Sequence, residues 1–292
     1  MAILHKTIAA GFGILLAGSA MADELIFIPS VAVQVKNLEF NQVINEPNNI
    51  TTSGGLSVDI PVLQYGITAI YGNFFGALKF ESALTDSVTD SDVPYTTIPG
   101  KTTLAKVDRN DLILNLGYSI SPGFSVFGGF MQGKTNLLPS PNSSGVLASL
   151  ENNNVSSLNL NLAQAAAERG EAKYEQEYIE KGFFLGSSYS YTLEGLGSIT
   201  ASAAYAMLDG EYSDNFSPAT NENFEFSGDT TGTSLALSWS APISDNVGYY
   251  LDIRMQSYDM DGKDSNGNFT GYSVDTEENI TSLTAGIRAT IY

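Results

Sequence analysis

Residues Asp111–Ile120 read DLILNLGYSI. Leu112, Leu114, Leu116, Tyr118 and Ile120 alternate with Asp111, Asn115, Gly117 and Ser119. A period of two gives a β-strand one apolar face and one polar face. The apolar run is longer than the roughly 5–6 residues usual in soluble sandwiches, and it mixes Leu with an aromatic. The question is whether the rest of the chain repeats it.

It does. Upstream, Val31, Val33 and Val35 alternate with Ala32, Gln34 and Lys36. Leu63, Tyr65, Ile67, Ala69 and Tyr71 form a second segment. Phe74, Leu78 and Phe80 form a third, with Lys79 and Glu81 on the other face. Downstream of the quoted stretch come Phe124, Val126 and Phe130. A sixth segment holds Phe183, Leu185, Tyr189 and Tyr191, and a seventh holds Ile199, Ala201, Ala203, Tyr205 and Met207. Leu235, Leu237 and Trp239 make the eighth. Tyr249, Leu251, Ile253 and Met255 make the ninth, against Asp252, Arg254 and Gln256. The tenth is SLTAGIRATIY, Ser282–Tyr292.

Connections alternate in length. Tight turns rich in Gly, Pro and Asn fall at Gly72-Asn73, Ser121-Pro122-Gly123, Glu194 to Gly197 and Pro242 to Asn246. Long connections are expected over about 40–54, 85–102, 138–173, 212–224 and 259–271. Short turns at one end and long loops at the other predict an all-β fold, a closed antiparallel up-and-down transmembrane barrel of about ten strands. Tyr71, Tyr118, Tyr191 and Tyr249 near the short turns fit an aromatic girdle. Closure pairs the last strand with the first, so no edge is left and the chain can end within the sheet.

The chain opens MAILHKTIAAGFGILLAGSAMADEL. Lys6, an apolar run from Ile8 to Ala17 and the small-x-small Ala20-Met21-Ala22 predict a cleaved signal peptide over 1–22 and a barrel domain over 23–292. Removing 1–22 takes away Lys6 and the single histidine, His5, so the net charge becomes one unit more negative than the −19 of the whole chain. Such a charge repels phosphates and argues against nucleic acid. There is no cysteine, so no disulfides support the exported fold. No later stretch is long and apolar enough for a transmembrane helix.

On the signal peptide, the ten alternating segments and the terminal Tyr292, the sequence resembles bacterial outer-membrane β-barrel proteins as a class. That resemblance implies location in the outer membrane, contact with its lipid and lipopolysaccharide, and a terminal aromatic as the signal read by the barrel-assembly machinery; a monomer is expected, with the oligomeric state left open. Tyr292 falls in phase with Arg288 rather than with Ile287 and Ile291, so either a bulge near the end restores its face or the terminal signal is only partial.

With the apolar phase toward lipid, Lys36, Lys79, Glu81, Asp111, Asp252, Arg254 and Arg288 face the lumen and become candidate pore-lining residues. Asp252, Arg254, Arg288 and Lys36 lie on strands adjacent after closure and are expected to cluster. The wall from Thr200, Ser202, Ala204, Ala206, Ser234, Ala236, Ser238 and Ser240 is small and neutral. Such a lining fits a narrow porin-like channel for small solutes or ions, or a salt-bridged plug. Ten strands lie between the filled eight-stranded barrel and the wide porins, so strand count does not choose. A non-conducting adhesive or structural barrel is the alternative function.

An enzyme is not expected. Outer-membrane barrel enzymes of similar size, the omptin proteases and the outer-membrane phospholipase, rely on a catalytic His, and the processed chain has none. A carboxylate-based enzyme is the third reading. No cofactor or metal is expected. Asp259 to Asn268 departs from the calcium-loop pattern, because Lys263 occupies a ligand place, and Asn266-Gly267 reads as a hairpin tip. Leu160 to Arg169, ended by Gly170, reads as a short helix over the barrel mouth or a surface loop.

Overall fold

The structure, a computed structural model, describes residues 8–10, 14–16, 24–47, 50–91, 103–139, 174–216, 223–267 and 270–292. Two three-residue strands, β1 (Ile8–Ala10) and β2 (Ile14–Leu16), pair with each other in a separate small sheet. Cleavage after Ala22 concerns residues outside those described.

The remaining strands form one closed sheet. They are β3 (Ile26–Glu46), β4 (Ile50–Tyr71), β5 (Phe74–Ala83), β6 (Ser87–Ser91), β7 (Thr103–Ser121) and β8 (Phe124–Pro139), followed by β9 (Tyr174–Leu193), β10 (Gly197–Phe216), β11 (Asn223–Pro242), β12 (Val247–Asp264) and β13 (Ser273–Ala289). Every pairing is antiparallel, and β13 closes onto β3 from Ser273↔Asn45 to Arg288↔Ser30. β5 and β6 lie end to end between β4 and β7, so these eleven strands make ten staves. The ten alternating segments correspond one to one with those staves.

The four tight turns fall where the sequence places them. Gly72 (φ 60°) and Gly123 (φ 83°) adopt the left-handed conformation that lets a two-residue turn reverse the chain. Gly267 at the far hairpin tip does the same, at φ 80°.

The long connections are shorter than expected at three places. β3 runs to Glu46 and β4 begins at Ile50, so strand occupies most of the connection expected over 40–54. β10 and β11 extend into 212–224, and β12 extends into 259–271 as far as Asp264. β6 occupies part of 85–102. The helix reading of Leu160–Arg169 lies outside the described residues.

The reason is a reversal of phase midway up each strand. β3 has 21 residues and β4 has 22, about twice the 9–11 that a tilted strand needs to cross a bilayer. In the lower half the outward side chains are Val31, Val33 and Val35 on β3, and Leu251, Ile253 and Met255 on β12, all exposed. Above them the outward places turn polar: Glu39 and Asn41, then Asp259 and Asp261. The inward phase changes in the opposite sense. Gln34 and Lys36 give way to Leu38, Phe40 and Ile44, and Asp252 and Arg254 to Tyr258 and Met260. Apolar residues face lipid below and one another above, with Ile28, Ile70 and Phe75 as a further apolar group at the short-turn end of the lumen. A sequence search that follows only the lower phase reads the upper half as loop.

Near the end of the chain the register stays regular. Ile291 pairs with Phe27, its N–H donating to the Phe27 carbonyl at 2.8 Å, in continuation of the β13–β3 ladder. Of the two alternatives for Tyr292, the bulge is not formed, and Tyr292 is 72% exposed.

Candidate functional site

The lumen is the candidate site, and it has three tiers. The top tier is apolar. Leu38, Phe40, Leu56, Val58, Ile60, Val107, Leu137, Tyr178, Tyr212, Phe226 and Met260 belong to one buried cluster. Phe40 and Tyr178 meet edge to face with ring centroids 5.6 Å apart. They stand on β3 and β9, which are diametrically opposite among the ten staves. The Tyr258 hydroxyl reaches Met131 Sδ at 3.6 Å, from β12 to β8. Small inward residues make room for these rings: a Cβ on Gly232 would lie 2.3 Å from the Tyr258 ring.

The middle tier is a charge network with Arg109 at its hub. Arg109 Nη1 donates to Glu278 Oε2 at 2.6 Å and to Thr135 Oγ1 at 2.9 Å. Its Nη2 pairs with Glu180, and lies 3.0 Å from Asp111 Oδ1. The Thr135 hydroxyl donates to Glu278 Oε1 at 3.0 Å. Asp111 is shared with Lys36, whose ammonium also sits 2.6 Å from Glu81 Oε2. Glu81 in turn pairs with Lys79 at 2.5 Å. The network joins β3, β5, β7, β8, β9 and β13. Gly133 is its mould: a Cβ there would stand 2.4 Å from Arg109 Nη2 and 2.6 Å from Glu180 Oε1.

The bottom tier is mixed: Ile28, Ile70, Phe75 and Phe127 are buried there beside small polar side chains. Ser188, Ser190, Ser198, Thr200, Ser238 and Ser240 are buried inward residues, and they include part of the small neutral wall expected from β10 and β11. A cavity of about 70 Å³ lies here, bordered among others by Lys79, Tyr250, Asp252, Arg254 and Arg288. Arg254 Nη2 lies 3.4 Å from Asp252 Oδ1. Gln64 Nε2 donates to the Tyr250 hydroxyl at 2.9 Å.

All seven residues singled out as lumen-facing point inward, but their grouping differs from expectation. Asp252, Arg254, Arg288 and Lys36 do not form one cluster. Lys36 is level with Ser282, and its long side chain crosses to the carboxylates of Glu81 and Asp111, which offer more than a wall of Ser and Thr. The charged groups are therefore not confined to one wall. The sequence reading missed Arg109, Glu180 and Glu278, which lie in the inward phase just above the apolar band. Extending each strand's phase past its last outward Leu or Tyr finds all three.

On the outer surface of the upper half, Asp209, Asp229, Asp261 and Asp275 are cross-strand partners in one row over β10 to β13. All four are exposed. Residues so far apart in sequence become neighbours only through register.

No protein-family model and no curated relative matches the chain. Solved structures do. The chain is similar to the outer-membrane protease OmpT of Escherichia coli at TM-score 0.64 and 11% identity, over 93% of this chain and 98% of that one. It also matches the translocator domain of the autotransporter NalP of Neisseria meningitidis (TM-score 0.43, 13% identity, 90% and 88% covered). The toluene transporter TodX of Pseudomonas putida follows (TM-score 0.32, 7% identity, 90% and 89% covered). The last two are too distant in shape to bear on function. The fold is that of the bacterial outer-membrane β-barrels, a likeness at the level of the class.

One expectation is corrected by this comparison. The chain was not expected to be an enzyme, yet the structure it matches at TM-score 0.64 is a protease. The architecture thus hosts catalysis in another protein, and the non-enzyme expectation is withdrawn. At 11% identity the likeness is one of fold and carries no activity across.

Proposed function

We propose that this protein is an outer-membrane barrel that is closed to solute flow and works as a surface scaffold. The lower half anchors it in lipid, and the upper half stands clear of the membrane and presents an acidic wall. The observation that carries this reading is the bridging of the lumen by Arg109, which ties β7 to Glu180 of β9 and Glu278 of β13. Above it, side chains from opposite staves touch. An open pore needs a continuous water path, and an apolar tier of this kind also excludes water.

The acidic wall suits lipopolysaccharide, whose phosphates are held together by divalent cations that also attract carboxylates. In this reading the mature chain starts at Asp23 after export, the barrel-assembly machinery inserts it, Tyr292 supports that step, and the protein is a monomer.

The test is conductance. Purified folded barrel in planar bilayers at molar salt is expected to give no steady current steps. Reproducible ohmic channels from protein shown to be folded by heat modifiability overturn the closed-scaffold reading. A narrow channel for small solutes or ions is the second reading, favoured by the charged groups that border the cavity of about 70 Å³ in the lower lumen. In that case Lys36, Lys79, Glu81, Asp111, Asp252, Arg254 and Arg288 line the path.

A further inference from the structure

Count every ion pair of the lumen as made, and two buried carboxyls still share one cation. Lys79 pairs with Glu81, Lys36 with Asp111, and Arg254 with Asp252. Glu180 and Glu278 remain, and both lie against the guanidinium of Arg109. Among the described residues, Arg109 is the one cation in contact with either of them, and it also reaches Asp111. Arg288 is too far away to help: ten residues of β13 separate it from Glu278, roughly 33 Å of strand. The side chains of Glu180 and Glu278 are 0% exposed, so bulk water does not screen one from the other. Two carboxyls on one cation in such a place are more stable with a proton kept between them than with both ionised.

The hydrogen bonds decide which one keeps it. Glu278 has a donor on each oxygen: Arg109 Nη1 on Oε2 at 2.6 Å and the Thr135 hydroxyl on Oε1 at 3.0 Å. That is the setting of a carboxylate. Glu180 has Arg109 on Oε1, while its Oε2 is buried without a donor. An oxygen that nothing donates to is where a carboxyl carries its own hydrogen. The remaining neighbours do not alter the count. Tyr178 on the same strand and Tyr258 on β12 are neutral phenols, and Asp111 on β7 is negative. Lys36 on β3 is engaged by Asp111 and Glu81. The register partners of Glu180 on β8 and β10 are Gly133 and Gly210, which bring no charge.

We propose that Glu180 is a proton-binding site built into the seam: it holds one proton at neutral pH, and that proton lets a single guanidinium tie β7 to both β9 and β13. Loss of the proton sets two negative charges against one cation and loosens the tie. This deepens the closed-lumen reading, which rests on the same tie, yet the two fail separately. Conductance tests whether the lumen passes ions, and the measurement below tests whether Glu180 is protonated.

In the unfolded chain a glutamate ionises at about pH 4.3. Above that value the folded barrel holds one proton more than the unfolded chain, so stability falls as pH rises, until the folded carboxyl itself ionises. The single histidine, His5, lies ahead of the barrel strands, so no barrel side chain of ordinary acidity titrates between about pH 6 and pH 8. Full-chain barrel in vesicles of zwitterionic lipid is unfolded with urea across that window. The folding constant is expected to drop about tenfold per pH unit, the signature of one proton. Glu180→Gln keeps the shape of the protonated acid and cannot ionise, so its profile should be flat. Asp229→Asn on the outer wall and His5→Gln should leave the slope in place. The unaltered chain gives a second measurement, should Glu180→Gln fail to fold. Infrared spectra of the folded barrel at neutral pH should show the carbonyl band of a buried carboxylic acid, and unfolding should remove it. A flat profile for the unaltered chain, a slope that survives Glu180→Gln, or the absence of the acid band overturns the proposal.

Discussion

The two halves of this barrel are written with the same alternation and opposite sign. On β12, Leu251, Ile253 and Met255 point outward below while Asp252 and Arg254 point inward. A few residues further on, Asp259 and Asp261 point outward while Tyr258 and Met260 point inward. The backbone does not change. What changes is the solvent outside: hydrocarbon below, water above. The lower half is built like a membrane barrel and the upper half like a soluble β-barrel with an apolar core. The charge network sits at the seam, where neither solvent rule applies cleanly.

The comparison can be broken first at the seam. Arg109→Met leaves Glu180, Glu278 and Asp111 buried without their shared cation. Breaking a buried network from one side costs about 3–5 kcal/mol. A drop of that size in urea unfolding of the lipid-reconstituted barrel is expected. A neutral result would mean that the network is hydrated.

In the upper core, Phe40→Ala should cost about 3–5 kcal/mol, as for an aromatic removed from a packed interior. The lower-half counterpart Leu116→Ala, 63% exposed toward lipid, should cost less than about 1 kcal/mol. Equal losses at the two sites would erase the distinction between the halves.

Swapping solvents sharpens it further. Arg at Leu251, mid-band and facing lipid, should cost about 2–4 kcal/mol. Arg at Asp259, in the same outward phase of the same strand, should stay within about 0.5 kcal/mol. Folding yield into vesicles of matched thickness separates the two.

Gly232→Ala places a methyl against the Tyr258 ring and should cost about 1–3 kcal/mol by overpacking. A Tyr258→Ala background should relieve it, because the clashing ring is gone.

The smallest effect has the opposite sign. Asp229 stands between Asp209 and Asp261 in the aspartate row. Like charges directly opposite repel, so Asp229→Asn should stabilise by about 0.2–1 kcal/mol at low salt. The gain should fade as salt screens the row.

The lower half was legible in the sequence because lipid imposes a strict code. Val31 to Val35, Leu112 to Ile120 and Tyr249 to Met255 each keep one face apolar, and their tight turns carry Gly, Pro or Asn. The upper half uses the same period in the other phase, as in Leu38 and Phe40, where polar neighbours make a strand look like a loop. The inward direction of Lys36, Lys79, Glu81, Asp111, Asp252, Arg254 and Arg288 followed from phase alone. Their partners did not.

The sequence by itself determined the antiparallel barrel of about ten staves, the short-turn end and the face each strand turns to lipid, because those depend on spacing along one chain. Only the tertiary structure decided that Arg109 meets Glu180 and Glu278, that Lys36 crosses to Asp111, and that Phe40 touches Tyr178. Those contacts depend on how ten staves close. Closure sets which residues share a level and how far a side chain must reach across the lumen, and neither is written in the alternation of any one strand.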